Sequence, residues 1–182
     1  MIELSTIRDL VAIFGVIAGF SYYVLTVRMN QRAVRINLTN TWIQRMSTDD
    51  WGRKFTELMY MEWEDYDDFE RKYGSDVNND NFIMRTSVWV VCDNLGNLLK
   101  IGMADKDVLY NSLAAYNAAS VWHKFVDVLN MNRKLYSGSA AWSGFEYLAN
   151  EVDKIRKQRN PEFDSENYSF KYTDLKKQKA KQ

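Results

Sequence analysis

The stretch LVAIFGVIAGFSYYVLTV, residues 10 to 27, contains no charged side chain among its eighteen positions. As a helix rising about 1.5 Å per residue, it is about 27 Å long, close to the hydrocarbon thickness of a bilayer. Its Leu, Ile, Val and Phe residues favour insertion by about 0.3 to 0.6 kcal/mol each near the membrane centre. That gain has to outweigh two glycines and four hydroxyl-bearing residues. The stretch therefore predicts a single membrane span.

Two other structures could carry such a stretch. A cleaved signal peptide has a basic region before a shorter apolar core of about 7 to 15 residues, followed by a small-x-small cleavage site. Here Arg8 is offset by Glu3 and Asp9, and no such site follows position 27. A buried core helix needs protein on every side, whereas the rest of this chain is comparatively polar. The sequence favours the membrane span over both.

The flanking basic residues predict the orientation, because cytoplasmic flanks are enriched in Lys and Arg. Arg8 precedes the stretch, whereas Arg28, Arg32 and Arg35 follow it. We therefore expect a cell-membrane protein with residues 1–9 outside and the main domain in the cytoplasm. The chain has one cysteine, so no intrachain disulfide can form, which fits a reducing compartment.

The remaining chain predicts an all-α fold in which the transmembrane helix continues into a cytosolic helical bundle. Roughly 130 structured residues remain beyond the anchor, enough for one core. Apolar residues recur at helical spacing, and the chain has one proline. We expect a transmembrane helix over 10–27, a juxtamembrane helix over 28–46, a helical domain over 47–160 and a disordered basic tail over 161–182.

Capping residues and glycines predict where the helices begin and end. One uninterrupted helix is expected from about residue 5 to 46, and Ser47 with Asp50 is expected to open a second helix. The later boundaries are expected at Asp65 and Gly74, before Phe82 and at Gly102, at Asp105, near Leu135, and before Phe145 and Pro161. Along the fourth helix, the expected buried face comprises Phe82, Val88, Trp89, Cys92, Leu95 and Leu99.

Residues that could carry chemistry are few. Asp76, Asn78 and Asp80 imitate the start of a calcium loop, but the required glycine and the final glutamate are absent, so turn and cap roles are favoured. His123 and Asp127 are four residues apart and could share a helix face, but one histidine without further ligands is a poor zinc site. We expect no metal, no cofactor and no catalytic residue, and the chain is not assigned as an enzyme.

Charge and small residues suggest how the protein interacts. Between residues 48 and 70 lie nine acids against two bases, whereas residues 154 to 182 carry nine bases against four acids. The basic segment is either a solubilising tail, a contact with anionic lipid, or a contact with the acidic stretch of a second copy. The formal net charge of zero argues against nucleic acid as a partner. Gly15 and Gly19 form a small-xxx-small pair that could support self-association in the bilayer.

A few spaced motifs resemble one family. They are LGNLLKIGMADKDVL at residues 95 to 109, Trp122, Arg133, and WSGFEYLANE at residues 142 to 151. The chain thereby resembles an uncharacterised family of small prokaryotic proteins with one N-terminal membrane helix and a cytosolic all-helical domain. The resemblance covers roughly residues 5 to 157. It implies an architecture but transfers no functional residue.

These observations leave three functional hypotheses. The favoured one is a membrane-anchored helical interaction or scaffold module that assembles with itself or with a protein partner at the bilayer. The alternative is a ligand-responsive sensor with a pocket lined by Trp89, Trp122 and Trp142, although tryptophans at helical spacing are more often core residues. A membrane-bound hydrolase or toxin is the third.

Overall fold

The computed structural model of the chain describes residues 4–137 and 140–163, and this part of the chain is all-α, without a strand. The helices are α1 (Leu4–Arg45), α2 (Asp49–Tyr60), α3 (Tyr66–Tyr73), α4 (Asn79–Lys100), α5 (Lys106–Tyr110), α6 (Leu113–Asn132) and α7 (Ser143–Arg159). A π-helical turn, Arg133–Ser137, extends α6. The predicted fold class, a long apolar N-terminal helix followed by a helical domain, is confirmed.

The first helix is one uninterrupted rod of 42 residues, about 63 Å long at 1.5 Å per residue. This confirms the helix expected from about residue 5 to 46. Its N-terminal part projects away from the domain, and none of its most apolar window is buried. The C-terminal part of α1 joins the domain, since Thr39 is buried, Trp42 and Ile43 pack against the core, and Met46 is buried just after the helix.

Most helices begin where a short polar side chain can cap them. Asp65, Asn78 and Asp105 each accept a hydrogen bond from a backbone N–H in the first turn of α3, α4 and α5, as their sequence positions predicted. The expected cap of α2 is wrong by one residue. Thr48 caps Trp51, whereas the Ser47 hydroxyl donates to the carbonyl of Ile43 and so completes the end of α1.

The core lies mainly between α4, α6 and α7. The expected face of α4 is largely buried, with Val88, Cys92 and Leu95 no more than 1% exposed, and Leu148 of α7 is buried as well. The exception is Phe82, which is 38% exposed because it lies in the first turn of α4, where its ring packs against the Arg85 guanidinium. That expectation for Phe82 was wrong.

The helix α7 begins directly against α4. A Cβ added to Gly96 would lie 1.8 Å from the Gly144 carbonyl oxygen, so the two backbones touch. The residue before α7, Trp142, provides no side-chain cap. Instead, Asp93 of α4 accepts a hydrogen bond from the Phe145 N–H at 3.0 Å. A side chain from a neighbouring helix therefore satisfies one of the N–H groups that a helix start leaves unpaired.

The contacts between helices define two ends of the domain. α7 runs from its crossing with α4 toward α5, because Glu151 lies beside Lys106 and Tyr110. α6 runs antiparallel to α7, with its first turns beside Arg159 and its last beside Glu146. We call the end formed by α5, the C-termini of α4 and α7 and the start of α6 the α5 end. The opposite end, where α3 packs against the start of α4 and the last turn of α6, is the α3 end.

Candidate functional site

The apolar part of α1 is a long exposed surface of the described chain. Its large side chains are 48 to 73% exposed over Leu10, Val11, Ile13, Phe14, Val16, Ile17, Phe20, Tyr22, Tyr23 and Leu25. Leaving one such side chain in water rather than in an apolar phase costs about 1.5 to 3 kcal/mol. By length and composition α1 is able to cross a membrane. An apolar surface of this extent typically marks a membrane or protein contact.

Gly15 and Gly19 lie on this exposed surface. A Cβ added at either position would meet nothing within 4 Å. Neither glycine is therefore needed for packing within the described chain. The small face that they form is open to a second helix, so self-association through it stays a prediction.

The rod is attached to the domain through a buried hydrogen bond. Thr39, 0% exposed, donates its hydroxyl to the Arg35 carbonyl and accepts the Asp105 N–H at 2.8 Å. Asp105 is also the cap of α5, so one hydroxyl joins α1 to the first turn of that helix. Nearer the apolar segment, Arg32 lies 3.8 Å from carboxylate oxygens of Asp105 and Asp107. These contacts set the position of α1 relative to α5.

A second link joins α5 to α7 through Glu151. Its carboxylate contacts Lys154 at 2.5 Å and accepts the Tyr110 hydroxyl at 3.2 Å. The hydrogen bond from Lys154, helped by Tyr110, holds the pKa of Glu151 below its usual range against the opposing effect of burial. Burial, then the nearby Glu151 charge, raises the pKa of Tyr110. Glu151 is thus an ionised acceptor at neutral pH, and its role is to fix α7 against α5.

The three tryptophans of the sensor hypothesis are packed against aromatic rings. Trp89 and Trp142 meet edge to face with ring centroids 5.8 Å apart, whereas Trp122 packs against Phe145 at 5.2 Å. Trp89 and Trp122 are 2% and 4% exposed. The structure therefore brings two of the three rings together and places the third against α7. These contacts are those of core residues, and a ligand pocket stays a prediction.

His123 has a different partner from the one its spacing suggested. Its Nε2 lies 2.7 Å from Asp153 Oδ2 of α7, whereas Asp127 is exposed on α6. The other carboxylate oxygen of Asp153 lies 3.5 Å from Arg156, which also donates to the Tyr116 carbonyl. A histidine oriented by a carboxylate is half of a general-base arrangement. Here the carboxylate is shared with an arginine, and the cluster joins α6 to α7.

Sequence reasoning gave no role to Arg85, which the structure buries to 3% exposure. Its guanidinium donates to the Tyr73 carbonyl and to Asn81 Oδ1, and it lies over the ring of Phe69 at 4.9 Å. Burial lowers the pKa of Arg85. Aromatic rings of the protein itself cover the faces of the Arg85 guanidinium. We therefore assign Arg85 a structural role, in which it holds α3 against α4. Its isolated position in an apolar sequence was the only available signal.

Nucleophilic and metal chemistry have little support in the described residues. Cys92 is fully buried, and desolvation raises the pKa of its thiol far above the neutral range, so a reactive thiolate is scarce. Across residues 4–137 and 140–163, no group of three His, Cys, Asp or Glu side chains is arranged to hold a metal ion. Asp76 and Asp80 lie around the start of α4, where Asn78 acts as the cap.

Comparison with family models, with curated proteins and with solved structures finds no match to this chain. The resemblance to small prokaryotic membrane-anchored proteins therefore stays a prediction.

Proposed function

We propose that this protein is a single-pass membrane protein whose helical domain is held at the cytoplasmic face of the bilayer as an interaction module. The observation that carries the proposal is the construction of α1. One end is an exposed apolar rod of bilayer length, and the other end is built into the core of the domain. A continuous helix with a buried attachment transmits position and rotation better than a flexible linker does.

The cytoplasmic placement is supported by the charges that flank the span. Arg28, Arg32 and Arg35 follow the apolar stretch, whereas Arg8 precedes it beside Asp9. The positive-inside bias therefore favours a cytoplasmic domain.

The anchor and its orientation can be tested on the full-length chain. The protein is expected to remain with pelleted membranes after alkaline extraction and to require detergent for release. A Ser5→Cys variant is expected to react with a membrane-impermeant maleimide in intact cells, and a Val77→Cys variant only after permeabilisation. Release by alkali would contradict the anchor. Labelling of Val77→Cys in intact cells would show that the domain lies outside the cell and would contradict the proposed orientation.

The interaction role needs a separate measurement. We expect the protein purified in mild detergent to have a mass above that of one chain, after correction for bound detergent, because of self-association or a stoichiometric protein partner. A monomer with no copurifying protein would contradict the module hypothesis while leaving the anchor intact.

A further inference from the structure

The α5 end lies close to the point at which the rod would leave a bilayer. Arg32, which contacts Asp105 and Asp107, is five residues beyond Val27, the last residue of the uncharged stretch. Five helical residues correspond to about 7.5 Å, and the headgroup layer is about 5 to 7 Å thick on each side. Thr39, which accepts the Asp105 N–H, is twelve residues beyond Val27, about 18 Å along the helix. If α1 spans the membrane, the first turn of α5 therefore lies between the levels of Arg32 and Thr39, outside the headgroup layer but near it.

The surface of the α5 end combines exposed apolar residues with cations. Ile101, Met103 and Leu113 are 66%, 45% and 74% exposed. They occupy the turn after α4 and the first position of α6. Among the described residues, the exposed cations of this end are Lys100, Lys106, Lys154, Lys157 and Arg159. The exposed acids of the same described segments are Asp107, which faces Arg32, and Glu162.

The α3 end has the opposite charge. Residues 48 to 73, which comprise α2, α3 and the segment between them, carry nine acids against four bases. α3 contacts the start of α4 and the last turn of α6, far from α5. The domain is therefore polarised along its length, with cations at the α5 end and acids at the α3 end. An anionic surface would attract the α5 end and repel the α3 end.

We propose that the α5 end docks on anionic lipid headgroups, with Leu113, Ile101 and Met103 entering the interface and Lys106, Lys157 and Arg159 facing lipid phosphates. This inference rests on the proposed membrane anchor. The domain then lies against the bilayer surface rather than standing clear of it on a stalk. The acidic α3 end is left exposed to the aqueous phase for partners.

The test uses the full-length protein in lipid nanodiscs with one added cysteine carrying a fluorescent maleimide. Cys92 is buried, so it contributes little background while the protein is folded. Leu113→Cys reports on the α5 end and Val77→Cys, 65% exposed before α4, reports on the α3 end. The quencher is a lipid spin-labelled at its headgroup. Discs contain either phosphatidylcholine alone or phosphatidylcholine mixed with phosphatidylglycerol.

Docking predicts several-fold stronger quenching at position 113 than at position 77 in discs containing phosphatidylglycerol. The difference should shrink in phosphatidylcholine alone, at high salt, and when Lys157→Glu is added. Arg53→Glu, an exposed basic residue of α2, is the matched control and should leave quenching at position 113 unchanged. Equal quenching at the two positions would overturn the inference. So would quenching at position 113 that is the same in discs with and without phosphatidylglycerol.

A third position separates this inference from the anchor on which it rests. A probe at Ile17→Cys should be quenched by a lipid spin-labelled in its acyl chain. Its quenching together with equal signals at positions 113 and 77 would overturn headgroup docking alone. Absence of quenching at position 17 would overturn the membrane anchor and the docking with it.

Discussion

At the scale of single residues, glycine has contrasting roles at two helical positions. Gly96 lies where α4 touches α7, and an added Cβ would come within 1.8 Å of the Gly144 carbonyl oxygen. Gly52 lies in α2, where an added Cβ would meet nothing within 4 Å. The first position requires glycine for a close backbone approach, whereas the second carries only the conformational cost of glycine in a helix.

We therefore expect Gly96→Ala and Gly52→Ala to change stability in opposite directions. Gly96→Ala should lower the free energy of unfolding by about 3 kcal/mol or more, because backbone atoms of α4 and α7 must separate. Gly52→Ala should raise it by up to about 1 kcal/mol. Urea titration in mild detergent measures both. Equal small effects would show that the close crossing is not required.

The stability of the protein is expected to depend on pH in the acid range through Asp68, which lies in the first turn of α3. Its carboxylate contacts Lys72 at 2.7 Å, accepts the Glu64 N–H at 3.1 Å and pairs with Arg71. The hydrogen bond from Lys72 is the main cause that lowers the pKa of Asp68, with further lowering by Glu64 and Arg71 against the opposing effect of burial. The folded state therefore favours the ionised carboxylate more than the unfolded state does.

The resulting stability is present above the unfolded pKa of about 3.9 and is lost as pH falls through the lower folded value. Asp68→Asn should destabilise the protein at neutral pH, and its difference from the parent should shrink below about pH 4. Thermal unfolding across the acid range measures this difference. Asp67→Asn, at the exposed neighbouring position, is the control and should follow the parent. A constant difference at all pH values would exclude Asp68 as the source.

At the scale of helices, the joint between α1 and α5 depends on one threonine. Thr39 is fully buried and accepts the Asp105 N–H, whereas Thr41, also on α1, is exposed. Both hydroxyls donate to a carbonyl of the preceding turn. The two threonines therefore differ mainly in the contact with α5.

Thr39→Val should cost about 1 to 3 kcal/mol, because it leaves the buried Asp105 N–H without an acceptor. Hydrogen exchange at the start of α5 should accelerate while exchange in α4 changes little. Thr41→Val removes the same hydroxyl from a solvated position and should be near neutral. Comparable exchange in the two variants would mean that Thr39 does not fasten α1 to α5.

At the scale of the whole molecule, the pairing of two α1 helices in the bilayer would also fix the relative positions of the two attached domains, because α1 is a continuous helix. The open face at Gly15 and Gly19 is the surface that would bring two rods together. Because α1 continues into the core without a break, pairing in the membrane would also fix how two acidic α3 ends are presented.

Gly15→Leu with Gly19→Leu is expected to shift the detergent-corrected mass toward that of a monomer. Enlarging the opposite face with Ile13→Phe and Ile17→Phe is the matched control and should leave the mass unchanged. Light scattering after size-exclusion chromatography measures both variants. If the glycine variant kept the mass of the parent oligomer, self-association through this face would be excluded.

The sequence predicted features whose causes are local. A run of uncharged apolar residues specifies a rod of bilayer length, and short polar side chains specify where α3, α4 and α5 begin. Helical periodicity identified the buried positions of α4 apart from Phe82. These features depend on residues within a few turns of one another, so spacing along the chain was sufficient. The Thr48 cap shows the precision of such reasoning, since Ser47 was chosen one residue too early.

Contacts between distant segments required the tertiary structure. His123 bonds Asp153 rather than Asp127, Asp93 caps a helix more than fifty residues away, and Thr39 meets Asp105 across sixty-six positions. Each partner is selected by how helices cross in space, and many polar residues were equally available along the chain. The polarity of the domain also depends on this packing. The sequence by itself determined the rod, the helices and their buried faces, because hydrophobic spacing and capping act locally. Only the folded arrangement decided which helix ends meet at α5, because nonlocal packing places them there.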